Sequence, residues 1–292
     1  MGGNSNDDQA VLESTDSTAW FRSYLHGGTS SLISTLTTII TFPLYKTVFR
    51  QQLHSTLVRE AVVQLFKEGP LKLYRGVAPP LLMRSLNGTL LFGLQDTFLQ
   101  KLSFWAEPPL LRNLLPSIAG LGAGVVEAVV FTPCERVQNL LQNSRNDSSL
   151  PTIRSVLLKL SSRPLASGYY TAFLPILVRN ALGNSLYFGL KDPMSKALRD
   201  YGFSPVASSF ISGGLNSMMI SLPLYPLSVL VANMQAQVEA DRGVKRSWRR
   251  LWAARNRSLV LLYRGGGLVI FRSCITWGIT TAIYDQLKRH SR

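Results

Sequence analysis

The chain has 292 residues, a formal net charge of +15, 46% hydrophobic residues and 16% charged ones. That length suits two soluble domains or one membrane domain, and the charge distribution decides between them. Phe203 to Val238 runs 36 residues without Asp, Glu, Lys, Arg or His, whereas a helix needs only about 20 to cross a bilayer. Gly27 to Tyr45, Asn113 to Val126 and Ser273 to Tyr284 are equally bare, and single charges interrupt other apolar segments. That pattern suits helices that each turn one polar face to a water-filled interior.

In chain order, the first sixteen residues hold Asp7, Asp8, Glu13 and Asp16 with no Lys or Arg, unlike an Arg-rich transit peptide. Residues 1–19 are expected to be a disordered acidic tail without a cleavable presequence. Three units then follow in register, over 20–106, 107–202 and 203–292. Each opens with an apolar segment leading to a proline that is followed nine residues later by glutamine: Pro43 and Gln52, Pro133 and Gln142, Pro226 and Gln235. Tyr74, Tyr170 and Tyr263 come next, 96 and 93 residues apart, and a second apolar helix ends in each unit at Asp96, Asp192 or Asp285, again 96 and 93 apart. Self-similarity at a fixed period is the mark of a repeat architecture. Each unit reads as a helix, a proline break, a polar connector with a short amphipathic helix, and a returning helix. Two spans per unit bring every unit in from the same side, so six transmembrane helices surround an axis along the membrane normal. The expected fold is all-α membrane, with three pseudo-threefold two-helix repeats. Small residues at Gly120, Gly124, Gly213, Gly214 and Ser217 should let neighbouring helices approach closely.

Charge sorts by side. The connectors Lys46 to Arg75, Arg136 to Arg163 and Glu239 to Arg264 carry nets of +4, +4 and +6, a positive-inside pattern. A basic chain can signal nucleic acid, but base-stacking aromatics and a basic recognition helix are missing, so no nucleic-acid partner is expected. Cys134 and Cys274 lack metal-ligand or redox spacing, and the three histidines have no acidic or cysteine companions, so no metal or cofactor is expected. An enzyme finds little support. Gly120-Leu-Gly122-Ala-Gly124 lacks a preceding strand and has Val125 where a third glycine belongs, and Gly265-Gly266-Gly267 eases a chain turn more readily than it cradles phosphate.

Pro133-Cys134-Glu135-Arg136-Val137-Gln138, Glu68-Gly69 followed by Tyr74-Arg75-Gly76, and Tyr284-Asp285-Gln286-Leu287-Lys288 resemble the signatures of mitochondrial carriers, solute carrier family 25. The likeness covers residues 20 to 290. Phe49-Arg50-Gln51-Gln52 and Pro175-Ile176-Leu177-Val178-Arg179-Asn180 resemble the branch that contains the mitochondrial NAD carrier. The resemblance implies a monomer in the lipid bilayer of the mitochondrial inner membrane, with cardiolipin as a candidate lipid, termini toward the intermembrane space, and transport of a small anionic substrate by alternating access.

In these carriers an acid two residues after the proline and a base three further on close the matrix side. Here those positions hold Tyr45, Glu135 and Ser228, then Val48, Gln138 and Val231. Only Glu135 with Gln138 keeps a polar matrix gate, and closure should rest more on packing and hydrogen bonds. On the cytoplasmic side the family uses an aromatic, an acid and a base. Tyr284, Asp285 and Lys288 complete that set, whereas Leu99 and Ser195 stand where bases would follow Asp96 and Asp192. One exposed ion pair contributes only about 0–1 kcal/mol, so this closure is expected to be shallow.

The substrate site should lie between the gates. Arg179 and Arg272 sit nine residues after their tyrosines, with Met83 in the first-unit place, Arg84 beside it, and Glu127 at similar depth. The candidate set is Arg84, Glu127, Arg179, Asn180 and Arg272. A charge at mid-membrane costs about 2.5–3.5 kcal/mol on insertion scales, so Glu127 should bridge Arg84 or Arg179, or meet a charged substrate. Arginine forks match phosphate and carboxylate. A glutamate among arginines suits NAD, whose pyrophosphate accompanies a cationic ring. The alternatives are a small carboxylate carrier and a non-transporting scaffold, the latter suggested by the altered gates and by Tyr170-Thr171-Ala172 in place of Tyr-Arg-Gly.

Overall fold

The computed structural model describes residues 5–103, 109–238 and 243–290. Every regular element among them is helical, and the order repeats three times. The first unit is α1 (Ser5–His54), α2 (Val58–Glu68), α3 (Pro70–Leu73) and α4 (Ala78–Ser103). The second is α5 (Pro109–Gln142), α6 (Ile153–Ser161), α7 (Leu165–Gly168) and α8 (Phe173–Asp200), and the third is α9 (Pro205–Gln235), α10 (Val244–Ala254), α11 (Leu259–Leu262) and α12 (Gly266–His290). Helix α1 begins at Ser5, so its backbone takes in residues 5–19, which the sequence reading sets apart as a disordered tail; the side chains of 1–22 lie outside the described residues.

The prolines do not break the first helix of each unit. Pro43, Pro133 and Pro226 all lie inside continuous helices. A proline ring removes one backbone hydrogen bond and leaves the carbonyl four residues earlier without its donor. For Pro133 that carbonyl is Val129 O, and the Tyr170 hydroxyl donates to it at 3.1 Å. The spacing of tyrosine and proline in the second unit thus has a local purpose: the tyrosine mends the helix that the proline opens.

After each tyrosine the chain turns into the returning helix through a residue with positive φ: Gly76 at +80°, Ala172 at +64° and Gly265 at +94°. Glycine is at home there. Alanine is not, and Ala172 is the one departure from Tyr-Arg-Gly that the backbone has to absorb.

The long helices pack as a closed ring, α1 to α4 to α5 to α8 to α9 to α12 and back to α1. Within units the approach is tight. A Cβ placed on Gly120 would stand 2.6 Å from the Asn184 carbonyl oxygen, and one on Gly124 would stand 2.5 Å from that of Asn180, so α5 lies against the α8 backbone over about one turn. Gly213 meets the Trp277 carbonyl of α12 in the same register at 2.8 Å, and Gly27 meets Gly88 of α4. The small helices α2 and α6 each bury a pair spaced by four, Ala61 with Leu65 and Val156 with Leu160, as an amphipathic helix lying on its apolar face should. Three of the long helices, over Asn113–Gln142, Pro205–Gln235 and Gly266–Arg289, are long and apolar enough to cross a membrane. Their apolar side chains at Leu121, Val125, Leu215 and Phe271 face outward, as a lipid-facing surface requires.

Candidate functional site

Two small cavities lie at mid-depth inside the ring and share Arg179. One, of about 190 Å³, is lined by Glu127, Arg179, Asn180, Asn184, Tyr187 and Trp277 with apolar neighbours Ile220, Leu224 and Val269. The other, of about 140 Å³, is lined by Tyr45, Gln52, Glu135, Asn139, Arg179 and Arg272. All five candidate substrate residues gather here. Arg84, one position from the expected register, swings its guanidinium to 5.8 Å from the Trp277 ring, and its electrostatic neighbours are Arg272, Tyr45 and Glu127. A long side chain can cover the 100° offset that the helix imposes.

The pairings differ from those the sequence suggests. Glu127 has no arginine bridge among the described residues; it accepts a 2.5 Å hydrogen bond from Asn184 Nδ2. Arg179 instead grips Glu135 in bidentate fashion, Nη1 to Oε1 at 3.0 Å and Nη2 to Oε2 at 2.8 Å, while its Nε donates to Asn180 Oδ1 at 3.1 Å. The proposed pairing of Glu135 with Gln138 is therefore absent. Glu135 stays within its own unit, joining α5 to α8, and Gln138 crosses to the first unit, donating to the Tyr45 hydroxyl. The reason is the residue at each basic gate position: with valine at 48 and 231, Glu135 has no cation on a neighbouring unit and turns to the nearest one on its own.

Arg272 stacks on the Tyr45 ring at 4.7 Å. No carboxylate among the described residues lies within ion-pair distance of it, and its Nε is buried without a hydrogen-bond partner. Desolvating a charge without a counterion is costly, so this guanidinium is the under-compensated group of the site.

Toward the connectors, the units are tied by hydrogen bonds. The fully buried Arg136 donates to Gly168 O within its own unit and across to Gln235 O at 2.5 Å and Gln237 O at 2.8 Å. Asn139 bonds Gln235 Oε1 at 2.7 Å, and Asn143 bonds Ala236 O at 2.8 Å. Arg264 of the third unit reaches Ser55 O of the first at 2.6 Å, and Arg163 of the second reaches the corresponding Val238 O at 3.0 Å. Arg264 belongs to a Tyr-Arg-Gly. The second unit has Thr171 in that place, and Arg136, with Arg163, caps the end of α9 in its stead.

At the opposite end two ion pairs cross between units. Lys288 holds Asp96 at 3.3 Å, with Tyr284 Oη donating to the same carboxylate at 3.5 Å. Lys191 holds Asp285 at 2.7 Å, and Ser209 donates to that carboxylate at 2.8 Å. The second pair is well shielded, with side chains 9% and 16% exposed. The two pairs are more shielded than the single exposed pair expected from the sequence. Lys191 was missed because it stands at the aromatic position of its unit, in register with Tyr284, rather than at the basic position occupied by Ser195. Asp192 turns out to solvent, 78% exposed, and its one ion-pair neighbour among the described residues is Lys191 at 3.6 Å. Beneath the pairs, Tyr284 stacks on Phe92 at 3.9 Å and Phe92 meets Phe188 edge-on.

A closed ring of three helix pairs, with charged cavities at mid-depth and inter-unit ties at both ends, is the build of a solute carrier. The chain belongs to the mitochondrial carrier family: the pattern described as mitochondrial carrier protein matches residues 111–202 and 203–292. It is 46% identical to human solute carrier family 25 member 53 over 93% of this chain and 89% of that one. It is 35% identical to the human mitochondrial nicotinamide adenine dinucleotide transporter SLC25A52 and 34% identical to human SLC25A51 of the same description, each over 85% of this chain and 83% of the relative. The likeness to the NAD carrier branch read from the motifs thus extends over 85% of the chain.

Proposed function

We propose that the protein is a six-span carrier of the mitochondrial inner membrane that moves NAD or a related nucleotide by alternating access. The observation that carries this reading is the charge left over in the paired cavities. Three arginines, Arg84, Arg179 and Arg272, face two glutamates, Glu127 and Glu135, and the surplus cation is Arg272 with its unpartnered Nε. NAD, with a pyrophosphate and a cationic ring, carries a single net negative charge and matches that surplus. Arginine forks suit its phosphates, and Glu127, held by a neutral amide rather than an arginine, remains open to a positive or hydrogen-bonding group. The similarity to two NAD transporters supports the same substrate class.

In this reading the incoming pyrophosphate meets Arg272 and competes with Glu135 for Arg179. The Lys191–Asp285 and Lys288–Asp96 pairs form the cytoplasmic gate, and the Gln138–Tyr45, Asn139–Gln235 and Arg136 contacts form the matrix one. A second reading, a small carboxylate carrier, is favoured by the Arg179–Asn180 contact alone. A ligand that binds only the folded carrier at a hundred times its dissociation constant stabilises it by about 2.7 kcal/mol. Purified protein in detergent is therefore expected to unfold at higher temperature with NAD and not with 2-oxo dicarboxylates. Stabilisation by the dicarboxylates alone would favour the second reading.

A further inference from the structure

We infer that the cavity bounded by Trp277 and Glu127 receives the nicotinamide end of the dinucleotide, and that Trp277 is a specificity-determining residue. This rests on the NAD reading of the site and says which way round the substrate lies.

The two cavities differ in chemistry although they share Arg179. The smaller one offers Arg272, Tyr45 and Gln52, and its free guanidinium is the surface for a phosphate. The larger one is different in kind. At about 190 Å³ it has room for one heterocycle rather than for a whole dinucleotide, and its walls include an indole, two phenols, aliphatic side chains and serine hydroxyls. Trp277 and Tyr187 meet there with ring centroids 4.9 Å apart, tilted by 45°, which leaves an aromatic wedge and not a closed stack. Heterocycles gain about 1–3 kcal/mol each by stacking on such side chains.

The polar groups of this cavity are arranged for a carboxamide on a cationic ring. The Asn184 amide and the Glu127 carboxylate are already joined at 2.5 Å, and the Asn180 amide lies within the same lining. Between them they present both donors and acceptors. Glu127 adds a negative charge on the side of the ring where a pyridinium gains by it. Adenine shares the planarity, and its N6 amino group can donate to Glu127, but it brings no positive charge to offset the buried carboxylate as a pyridinium does. Phosphates on Arg179 and Arg272, with the nicotinamide at Trp277, use both cavities at once. The reverse orientation would put an uncharged base beside the carboxylate.

The test is uptake of labelled NAD into liposomes by the reconstituted protein, with unlabelled nicotinamide mononucleotide and adenosine monophosphate as competitors, and with the variants Trp277→Leu and Trp277→Phe. The expected result is stronger inhibition by nicotinamide mononucleotide than by adenosine monophosphate. Trp277→Leu should raise the KM for NAD roughly tenfold, with a smaller change in kcat, and Trp277→Phe should recover most of the affinity. If wild-type protein takes up NAD but adenosine monophosphate competes better, or the KM of Trp277→Leu is unchanged, this orientation is wrong while the NAD reading stands. A wild-type protein that takes up no NAD overturns both. The competitor comparison needs only wild-type protein, so it decides the question even where Trp277→Leu fails to fold.

Discussion

Ala172 occupies a left-handed backbone position where the other two units have glycine. A residue with a Cβ pays about 1–2 kcal/mol there, so Ala172→Gly is expected to raise stability by about 1 kcal/mol, read as a higher unfolding temperature in detergent. A lower one would mean that the methyl, 7% exposed and packed against Tyr225 and Leu262, contributes more than the strain costs. At this scale the sequence was a good guide to which residues matter and a poor one to their partners. Arg179, Arg272 and Glu127 reach mid-depth because their spacing from tyrosine and proline sets their height on the helix. Spacing says little about the direction of a long side chain, and so Glu135 was assigned to a gate although it bridges Arg179. Trp277 lies about two turns before Tyr284 and Asn184 about one turn after Asn180, yet neither belongs to a signature that would mark it as a cavity wall.

At the scale of the element, the seam between the second and third units is tied by a dense set of buried hydrogen bonds. Arg136 is buried within it and donates to the carbonyls that end α9, where Arg264 serves the end of α1. Arg136→Leu leaves those carbonyls without donors and is expected to cost about 3 kcal/mol or more. Thermal unfolding would register it, and an unchanged midpoint would show that Arg163 alone suffices. The departure from Tyr-Arg-Gly at Thr171 was plain in the sequence, but the compensation was not. Arg136 lies 35 positions before Thr171, and only the fold brings both to the same helix end. The helices themselves were legible, since their period, prolines and aspartates repeat three times. One misreading was the proline break. A carbonyl freed by proline can be mended by a distant hydroxyl, as Tyr170 does for Val129, and the helix then continues.

At the scale of the whole molecule, two ion pairs and a stack of aromatic rings join the units at one end, and buried amides and arginines join them at the other. Lys191→Met removes the cation from the shielded Asp285. Breaking a shielded pair costs about 3–5 kcal/mol, part of which Ser209 can offset through its hydrogen bond. The expected outcome is a weaker cytoplasmic gate, seen as faster loss of preloaded substrate from liposomes; unchanged retention would mean that the Tyr284–Phe92–Phe188 stack closes this end alone. The threefold plan was legible from the repeat, whereas the ties between units were not: Lys191 stands in for the base missing at Ser195, while nothing among the described residues replaces the one missing at Leu99 and Asp192 turns to solvent.

The account turns on one claim, that Arg179, Arg272 and Glu127 hold a dinucleotide between two gates. The most direct measurement is uptake of labelled NAD into liposomes containing wild-type protein, Arg272→Ala or Glu127→Ala, with small dicarboxylates tested alongside. The account predicts that wild type accumulates NAD and that both variants lose most of that uptake while unfolding at temperatures close to that of wild type. Uptake of dicarboxylates alone, or NAD uptake indifferent to both substitutions, would contradict it.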